Sequence, residues 1–193
     1  MAVHYPDSMS QEVGRSANDD PEALFPVRTE VRLRRANGFR MLGMYEDAET
    51  ELAKVPLPDR LDKEVLVMKV VVRQDAADWG RMQEPARILR KRFPEAAEWW
   101  IAEAYATRRS ESIQAAREIL IEGEERHENE PGIKFNLACY ACRLGDSDTA
   151  LRYLLAAIAL DSKYKEMAFA DEDLNEVHEV LDKMWMNTPE TGE

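Results

Sequence analysis

The 193-residue sequence predicts an all-α protein, an α-solenoid of about four helix-turn-helix repeats that ends in a C-terminal capping helix. Three observations lead to this prediction. Small and apolar residues recur at a step of 34 residues. Within each step, apolar residues follow the spacing of one helix face. Prolines fall mainly at the breaks between helical stretches, where they cost no intrahelical hydrogen bond.

The repeat is defined by three columns of small or apolar residues, read at successive steps of 34. They are Ala36, Val70, Ala104 and Ala138; Ala48, Met82, Ala116 and Ala150; and Leu52, Ala86, Leu120 and Leu154. Two helices approach each other to about 8–10 Å only where their contacting residues are small. Stacked helix pairs then share a core that a single pair cannot bury. We therefore expect four repeats, at residues 29–62, 63–96, 97–130 and 131–164.

Each repeat contains two helical stretches with a short break between them, such as LGMYED in the first repeat and LGDSD in the fourth. The first stretch of the fourth repeat carries Ile133, Leu137 and Ala141 at helical spacing. Pro85 is the exception to the placement of prolines, because it lies inside the stretch WGRMQEPARILRKRF. It removes an intrahelical hydrogen bond, so we expect that helix to start late or to bend.

The sequence before the repeats is polar and acidic. Residues 1–22 show no apolar periodicity, and we expect them to form a mobile segment. Asp20 and Pro21 are suited to begin a short turn of helix, as cap and first helical residue. Residues 23–164 are assigned to the repeat domain.

The sequence after the repeats is assigned to capping helices at residues 165–187 and to a flexible tail at residues 188–193. A turn is expected at residues 171–173, followed by a longer helix. That helix has one apolar face, formed by Leu174, Val177, Leu181, Met184 and Trp185. A repeat array needs such a cap because its last repeat otherwise exposes apolar surface. A docking helix for another protein is the alternative.

The fourth repeat, IKFNLACYACRLGDSDTALRYLLAAIALD, resembles the tetratricopeptide repeat (TPR) family. The matching positions are Asn136, Leu137, Ala138, Leu144, Gly145, Asp146, Ala150, Leu154, Ala157, Leu160 and Asp161. The first and third repeats match through Gly43, Tyr45, Ala48 and Leu52, and through Trp100, Ala104, Ala116 and Leu120. The second repeat matches weakly, because it keeps Trp79, Ala86 and Pro94 but departs at Met82 and Pro85. The resemblance covers residues 29–164 and implies a right-handed solenoid whose inner wall binds a peptide or another protein, without implying a reaction.

The net charge of -12 argues against nucleic-acid binding, which needs a clustered basic surface. The charge is uneven along the chain. Residues 28–43 contain five arginines and one glutamate, whereas residues 161–193 contain ten acidic residues and three lysines. No apolar run approaches the roughly 20 residues of a membrane span, and the N-terminus lacks the apolar stretch of a signal peptide. We therefore expect a cytoplasmic protein that does not bind membranes.

The two cysteines, Cys139 and Cys142, have the C-x-x-C spacing found in redox and metal sites. A redox cysteine lies at a helix N-terminus after a strand, whereas this pair falls in the middle of a predicted helix. Zinc needs four ligands, and the three histidines of the chain are scattered. No phosphate-binding loop or nucleophile motif is present either. We therefore expect no metal, no cofactor and no catalysis, and interpret both cysteines as surface residues of a helix wall.

The TPR resemblance places the first helix of each repeat on the inner wall of the solenoid. Steps of 34 along these helices give the predicted partner-binding residues, Leu33, Asn37, Arg40, Val67, Val71, Ile101, Tyr105, Arg108, Phe135 and Arg143. The wall is apolar at its centre and is bordered by arginines, which include Arg34 and Arg109. A carboxylate clamp for a chaperone tail is not predicted, because only Asn37 fits its residue pattern.

An apolar strip bordered by arginines favours a protein or peptide partner with apolar anchors and acidic residues, since arginine pairs with carboxylates. Residues 19–27, DDPEALFPV, have this composition, so the chain's own N-terminal segment is an alternative occupant. The sequence thus predicts a non-catalytic protein-protein or peptide-binding module, or adaptor. The alternative is a structural protein that self-associates head to tail, its arginine-rich first helix meeting the acidic tail of a neighbour.

Overall fold

The computed structural model describes residues 27–186, and within this range the chain is built of α-helices joined by short turns. They are α1 (Thr29–Met41), α2 (Tyr45–Ala53), α3 (Lys63–Asp75), α4 (Trp79–Arg92), α5 (Ala97–Ser110), α6 (Ile113–Arg126), α7 (Pro131–Arg143), α8 (Ser147–Leu160), α9 (Lys163–Ala170) and α10 (Asn175–Met186). Two 3-10 helices, Leu57–Leu61 and Glu172–Leu174, precede α3 and α10. The expected N-terminal segment, the helical turn at Asp20 and the C-terminal tail lie outside the described residues.

Successive helices pack as pairs, α1 with α2, α3 with α4, α5 with α6 and α7 with α8. Each pair stacks on the next, with α2 against α3, α4 against α5 and α6 against α7. The first helices also contact one another between pairs, α1 with α3 and α5 with α7. They therefore form a common inner wall. The predicted all-α solenoid is confirmed.

The core of the solenoid is formed by the three columns found in the sequence. All of their residues are buried, and the most exposed of them, Val70, is 3% exposed. The first two columns hold mainly alanine and the third mainly leucine, so small and large buried side chains alternate along the helix pairs. The periodic pattern of the sequence is thus the packing pattern of the core.

Helix α4 begins at Trp79 and continues through Pro85 to Arg92, so of the two expected effects of Pro85 it does not show the late start. The Asp78 side chain caps its N-terminus by accepting a hydrogen bond from the backbone N–H of Arg81. Pro85 itself is buried, on the same helix as the buried Met82 and Leu89. The N-terminal cap and this packing outweigh the loss of one intrahelical hydrogen bond, so the expected late start is wrong.

The C-terminal cap consists of α9, the 3-10 helix Glu172–Leu174 and α10. Leu174, Val177 and Leu181 are fully buried and belong to the same apolar cluster as Leu154 of α8. Helix α9 begins close to one step of 34 after Pro131, where the first helix of a fifth repeat would start. It ends at residue 170, and the 3-10 helix after it packs against α7. The cap is therefore a shortened repeat unit whose chain turns back over the last complete one.

Buried charges in the solenoid are paired. Arg32 is 4% exposed and donates a hydrogen bond of 3.0 Å to Glu51, which is 6% exposed. Glu103 of α5, 3% exposed, accepts hydrogen bonds from Arg87 and Arg90 of α4. Such pairs avoid the cost of burying an isolated charge. Among the helices of residues 27–186, none is long and apolar enough to span a bilayer.

Candidate partner-binding groove

The inner wall contains a cavity of about 450 Å³ where the third repeat meets the fourth. We call it the groove cavity; it is lined by Gln74, Glu98, Ile101, Ala102, Tyr105, Gly132, Phe135, Asn136, Tyr164 and Met167. Helices α5 and α7 supply most of this lining, and α9 closes one side. A Cβ atom at position 132 would lie 3.1 Å from the Ile101 side chain, so glycine there allows the close approach of α7 to α5. The lining is mainly apolar with a polar rim, as is typical of a ligand-binding surface.

An aromatic pair next to the groove cavity carries an arginine. The rings of Trp79 and Tyr105 meet edge to face, with centroids 5.3 Å apart. The Arg109 guanidinium lies 3.6 Å from the centroid of the Tyr105 ring and 5.1 Å from that of the Trp79 ring. Stacking of this kind holds a guanidinium in place while its N–H groups remain able to bind a carboxylate. Among the side chains that the structure describes, no carboxylate forms an ion pair with Arg109.

A second cavity of about 470 Å³ lies between the inner wall and the C-terminal cap. We call it the cap cavity; it is lined by Arg108, Arg109, Phe135, Met167, Ala170, Asp171, Glu172 and Asp173. Phe135 lines both cavities. The inner wall is therefore open towards α5 and covered by the chain's own cap towards the end of α7.

Two of the predicted binding arginines are occupied by the cap. The carboxylate of Asp173 lies 2.5 Å from Arg108 Nη1 and 3.6 Å from Arg143 Nε. The hydrogen bond to Asp173 raises the pKa of Arg108, which outweighs the opposite effect of burial, so the guanidinium stays charged. Arg108 also lies over the ring of Tyr140, 5.3 Å from its centroid. Both arginines were expected to face a partner, and in the structure the carboxylate that they contact belongs to the same chain.

Cys139 lies inside α7, as predicted, whereas Cys142 is next to its last residue, Arg143, and both are buried, at 3% and 2% exposed. The interpretation of these cysteines as surface residues is wrong, because the cap packs over the part of the wall that they occupy. The Cys139 thiol donates a hydrogen bond of 3.6 Å to Asp171. Burial, together with the nearby charges of Asp171 and Asp173, raises the pKa of Cys139 far above its ordinary value. The thiol is therefore protonated and unreactive at neutral pH.

The ligand atoms of Cys139, Asp171 and Asp173 lie within 4.8 Å of one another, a spacing that a metal ion would accept. Their chemistry fits a metal poorly. Metal binding needs a thiolate, whereas burial keeps this thiol protonated. Asp173 is already paired with two arginines, whose positive charge opposes a cation. The geometry favours a hydrogen-bonded cluster that fastens the cap.

The remaining predicted site residues are distributed between the cavity and the packing of the solenoid. Ile101 and Tyr105 are half-buried and line the groove cavity, whereas Phe135 is 6% exposed, not the exposed anchor that we expected. The Phe135 ring lies against that of Tyr164, with centroids 5.1 Å apart, which explains its burial. Leu33 and Val67 pack against core clusters.

Polar contacts hold the part of the predicted strip that lies on α1. Asn37 accepts a hydrogen bond of 3.0 Å from Arg40, and Arg40 also lies 2.6 Å from Asp75 of α3. Val71 of α3 is half-buried. These contacts tie the first repeat to the second, and they engage the arginine that was expected to face a partner.

The arginine-rich first helix is less available for charge pairing than its sequence suggests. Arg32 and Arg35 both lie near Glu51, at 3.0 and 3.7 Å, and Arg40 is paired with Asp75. In the acidic C-terminal region, Asp173 is paired with Arg108. Head-to-tail association through these charges would therefore compete with ion pairs that already exist within the chain.

Three residues of the site were missed by the sequence analysis, namely Tyr164, Met167 and Asp173. A signal was present for Asp173, which lies one step of 34 after Cys139 and two steps after the predicted wall residue Tyr105. Extending the repeat count beyond residue 164 would have placed α9 on the inner wall next to α7. The repeat gives the position of Asp173 but not the turn that brings it to Arg108, since that turn departs from the repeat.

Similar folds occur among solved structures. A thermophilic TPR protein of Thermus thermophilus, TTC0263, is similar with a TM-score of 0.58 at 18% sequence identity, over 79% of this chain and 82% of that one. The chain has a TPR-like fold. The MamA RS-1 ArsTM double mutant is similar to this TPR-like chain with a TM-score of 0.61 at 16% identity, over 69% of this chain and 75% of that one.

No protein-family model and no curated protein sequence matches the chain. At 16–18% identity, the structural similarity establishes the TPR-like fold alone.

Proposed function

We propose that this protein is a non-catalytic binding module or adaptor whose groove cavity accepts a segment of a partner protein. The groove cavity carries the proposal, because it combines an apolar floor at Ile101 and Phe135 with a nearby arginine, Arg109, held on an aromatic pair. Apolar anchors in a pocket supply most of the binding energy of protein interfaces.

The chemistry of the lining indicates the chemistry of the partner. An aliphatic or aromatic side chain suits the space between Ile101, Tyr105 and Met167, and an acidic residue beside it suits Arg109. The described lining contains one carboxylate, Glu98, which is exposed, so it offers no buried acid-base pair of the kind that catalysis uses. These features support binding over catalysis.

Site-specific photo-cross-linking in cells tests the proposal. A photoreactive amino acid replaces Gln74, which is exposed and lines the groove cavity, and in a matched control it replaces Glu118, which is exposed on α6. We expect a cross-linked partner from position 74 alone. The cross-link should be lost when Ile101→Glu places a charge on the floor, while Arg109→Gln weakens it.

Equal cross-linking from both positions, or cross-linking from position 118 alone, would show that the groove is not the binding surface. A cross-linked product with twice the mass of the chain would identify self-association in place of a different partner. Thermal unfolding of the Ile101→Glu variant shows whether its effect comes from the site or from the fold.

A further inference from the structure

The cap segment, residues 171–177, lies on the inner wall in the way that a bound peptide would. Its acidic residue Asp173 reaches two arginines from different repeats, Arg108 of α5 and Arg143 at the end of α7. In the shorter ion pair, the side chains of Arg108 and Asp173 are largely buried, at 18% and 21% exposed. Ion pairs that bridge two helices and are shielded from solvent fix the position of a segment better than exposed pairs.

The apolar part of the cap segment occupies the wall at the level of the cysteines. Leu174 and Val177 are fully buried, in one cluster with Cys139, Cys142 and Ala141 of α7. The wall presents small and sulfur-containing side chains here, and these adapt readily to different aliphatic partners. An acidic residue followed directly by an aliphatic one is therefore the pattern that this end of the groove recognises.

The wall is larger than the segment that covers it. The cap cavity remains between the wall and the cap, and Arg109 faces it without a carboxylate partner among the described side chains. Glu172 lines this cavity and is exposed. The cap cavity, which Arg109 lines opposite the carboxylates of Asp171, Glu172 and Asp173, leaves room for a segment larger than the one that covers the wall.

We propose that the cap segment is an intramolecular ligand of the C-terminal end of the groove, and that partner segments accepted there carry the same acidic-aliphatic pattern and displace it. The proposal rests on the proposed function, since it names the chemistry of the partner for the same groove. Displacement uncovers Cys139 and Cys142, so the rate at which these thiols are alkylated reports whether the segment is bound.

The experiment uses the full chain, iodoacetamide and mass spectrometry. Asp173→Asn keeps the size of the side chain but removes its charge, and we expect it to raise the alkylation rate of both thiols by about tenfold. Glu179→Gln, which alters an exposed acid of α10 outside the cap segment, should leave the rate unchanged. Equal urea midpoints of the two variants show that the thiols are exposed by local opening.

A synthetic peptide with the sequence of residues 170–181, ADEDLNEVHEVL, is then added to the Asp173→Asn variant. We expect it to slow alkylation again, whereas a peptide with asparagine at the positions of Asp173 and Leu174 should not. If Asp173→Asn does not fold, Arg143→Gln serves in its place, because that side chain is 56% exposed.

Unchanged thiol reactivity in the variant, or equal protection by both peptides, would overturn the proposal. The outcome is separable from that of the proposed function. Cross-linking at position 74 without peptide protection refutes the cap segment as a ligand and leaves the groove cavity as the binding site. Peptide protection without cross-linking at position 74 refutes the groove cavity as the binding site and leaves the C-terminal end of the groove, where the cap segment lies.

Discussion

Ala77 and Gly145 occupy the same position of the repeat, two steps of 34 apart, and both have a positive φ, of 54° and 79°. Gly43, one step before Ala77, has a φ of 72°. These residues follow the first helix of the second, fourth and first repeats, where the chain reverses into the second helix. Glu111 at the corresponding place in the third repeat has a φ of -128°, so that turn takes another path. The repeat therefore requires a left-handed residue at three turns, and the sequence provides glycine at two.

Ala77→Gly should stabilise the protein by about 0.5 kcal/mol. An alanine in the left-handed conformation costs about 1–2 kcal/mol, and the substitution removes this cost. Glycine has the larger entropy in the unfolded chain, which offsets about 0.4–1 kcal/mol of the gain. Gly145→Ala should have the opposite effect, and its cost is conformational, since a Cβ there would meet no atom within 4 Å. Urea unfolding measures both. Ala76→Gly is the control. Ala76 has a φ of -77°, which alanine adopts without strain, so glycine there should destabilise the protein.

Leu181→Asp should lower the free energy of unfolding by at least about 3 kcal/mol, because it removes a fully buried leucine and places a carboxylate among apolar side chains. Val180 is its neighbour on α10 and is 42% exposed. Val180→Asp should therefore change the stability by only about 0.5 kcal/mol. Equal urea midpoints for the two variants would mean that α10 does not dock as described.

The solenoid could be predicted from the sequence because its core is periodic. Each column residue, such as Ala48, makes the same kind of contact as its equivalents one step away, so a regular pattern records a regular structure. Helix α4 shows where a single-residue rule failed. Pro85 is unfavourable by itself, but the N-terminal cap at Asp78 and burial of the helix outweigh it.

The binding wall could be predicted only in part. The repeat places Ile101 and Tyr105 on the inner wall, but the burial of Cys139 and Phe135 depends on what covers them. The covering residues belong to a segment that leaves the repeat after residue 170. The step of 34 leads from Cys139 to Asp173, but it does not predict the turn after residue 170, so the contact between Asp173 and Arg108 could be found only in the structure.

Stability should depend on pH through Glu51. Burial raises the pKa of this carboxyl group, but hydrogen bonds from Lys54 and Arg32 outweigh it, so the pKa lies below the ordinary value of 4.5. The folded state therefore holds the proton less tightly than the unfolded state. Its contribution to stability is fully present above pH 4.5 and is lost as the pH falls through the lowered pKa.

Glu51→Gln should accordingly reduce the free energy of unfolding at pH 7 by about 1.5–3 kcal/mol, the usual contribution of hydrogen bonds to a charged group. The difference from the unaltered protein should shrink below pH 4.5, as Glu51 becomes protonated. Urea unfolding at pH 7, 5 and about 3.5 measures this. Glu46→Gln is the control, since that side chain is 90% exposed. A difference that stays constant with pH would show that the charge of Glu51 is not involved.

Phe135 and Tyr105 both line the groove cavity, but their removal should have unequal effects on the fold. Phe135→Ala should lower the free energy of unfolding by about 3–5 kcal/mol, because the side chain is buried against Tyr164 and the space it leaves cannot be refilled. Tyr105→Ala should cost about 1–2 kcal/mol, since the ring is half-buried. Urea unfolding of the two single variants measures the difference.

Tyr105→Ala is therefore the variant to use in binding experiments. If this variant loses binding while its circular dichroism spectrum is unchanged, the loss is attributable to the groove. If Phe135→Ala proved as stable as Tyr105→Ala, the ring contact with Tyr164 would not hold α9 against the wall, and the closed side of the groove cavity would be open.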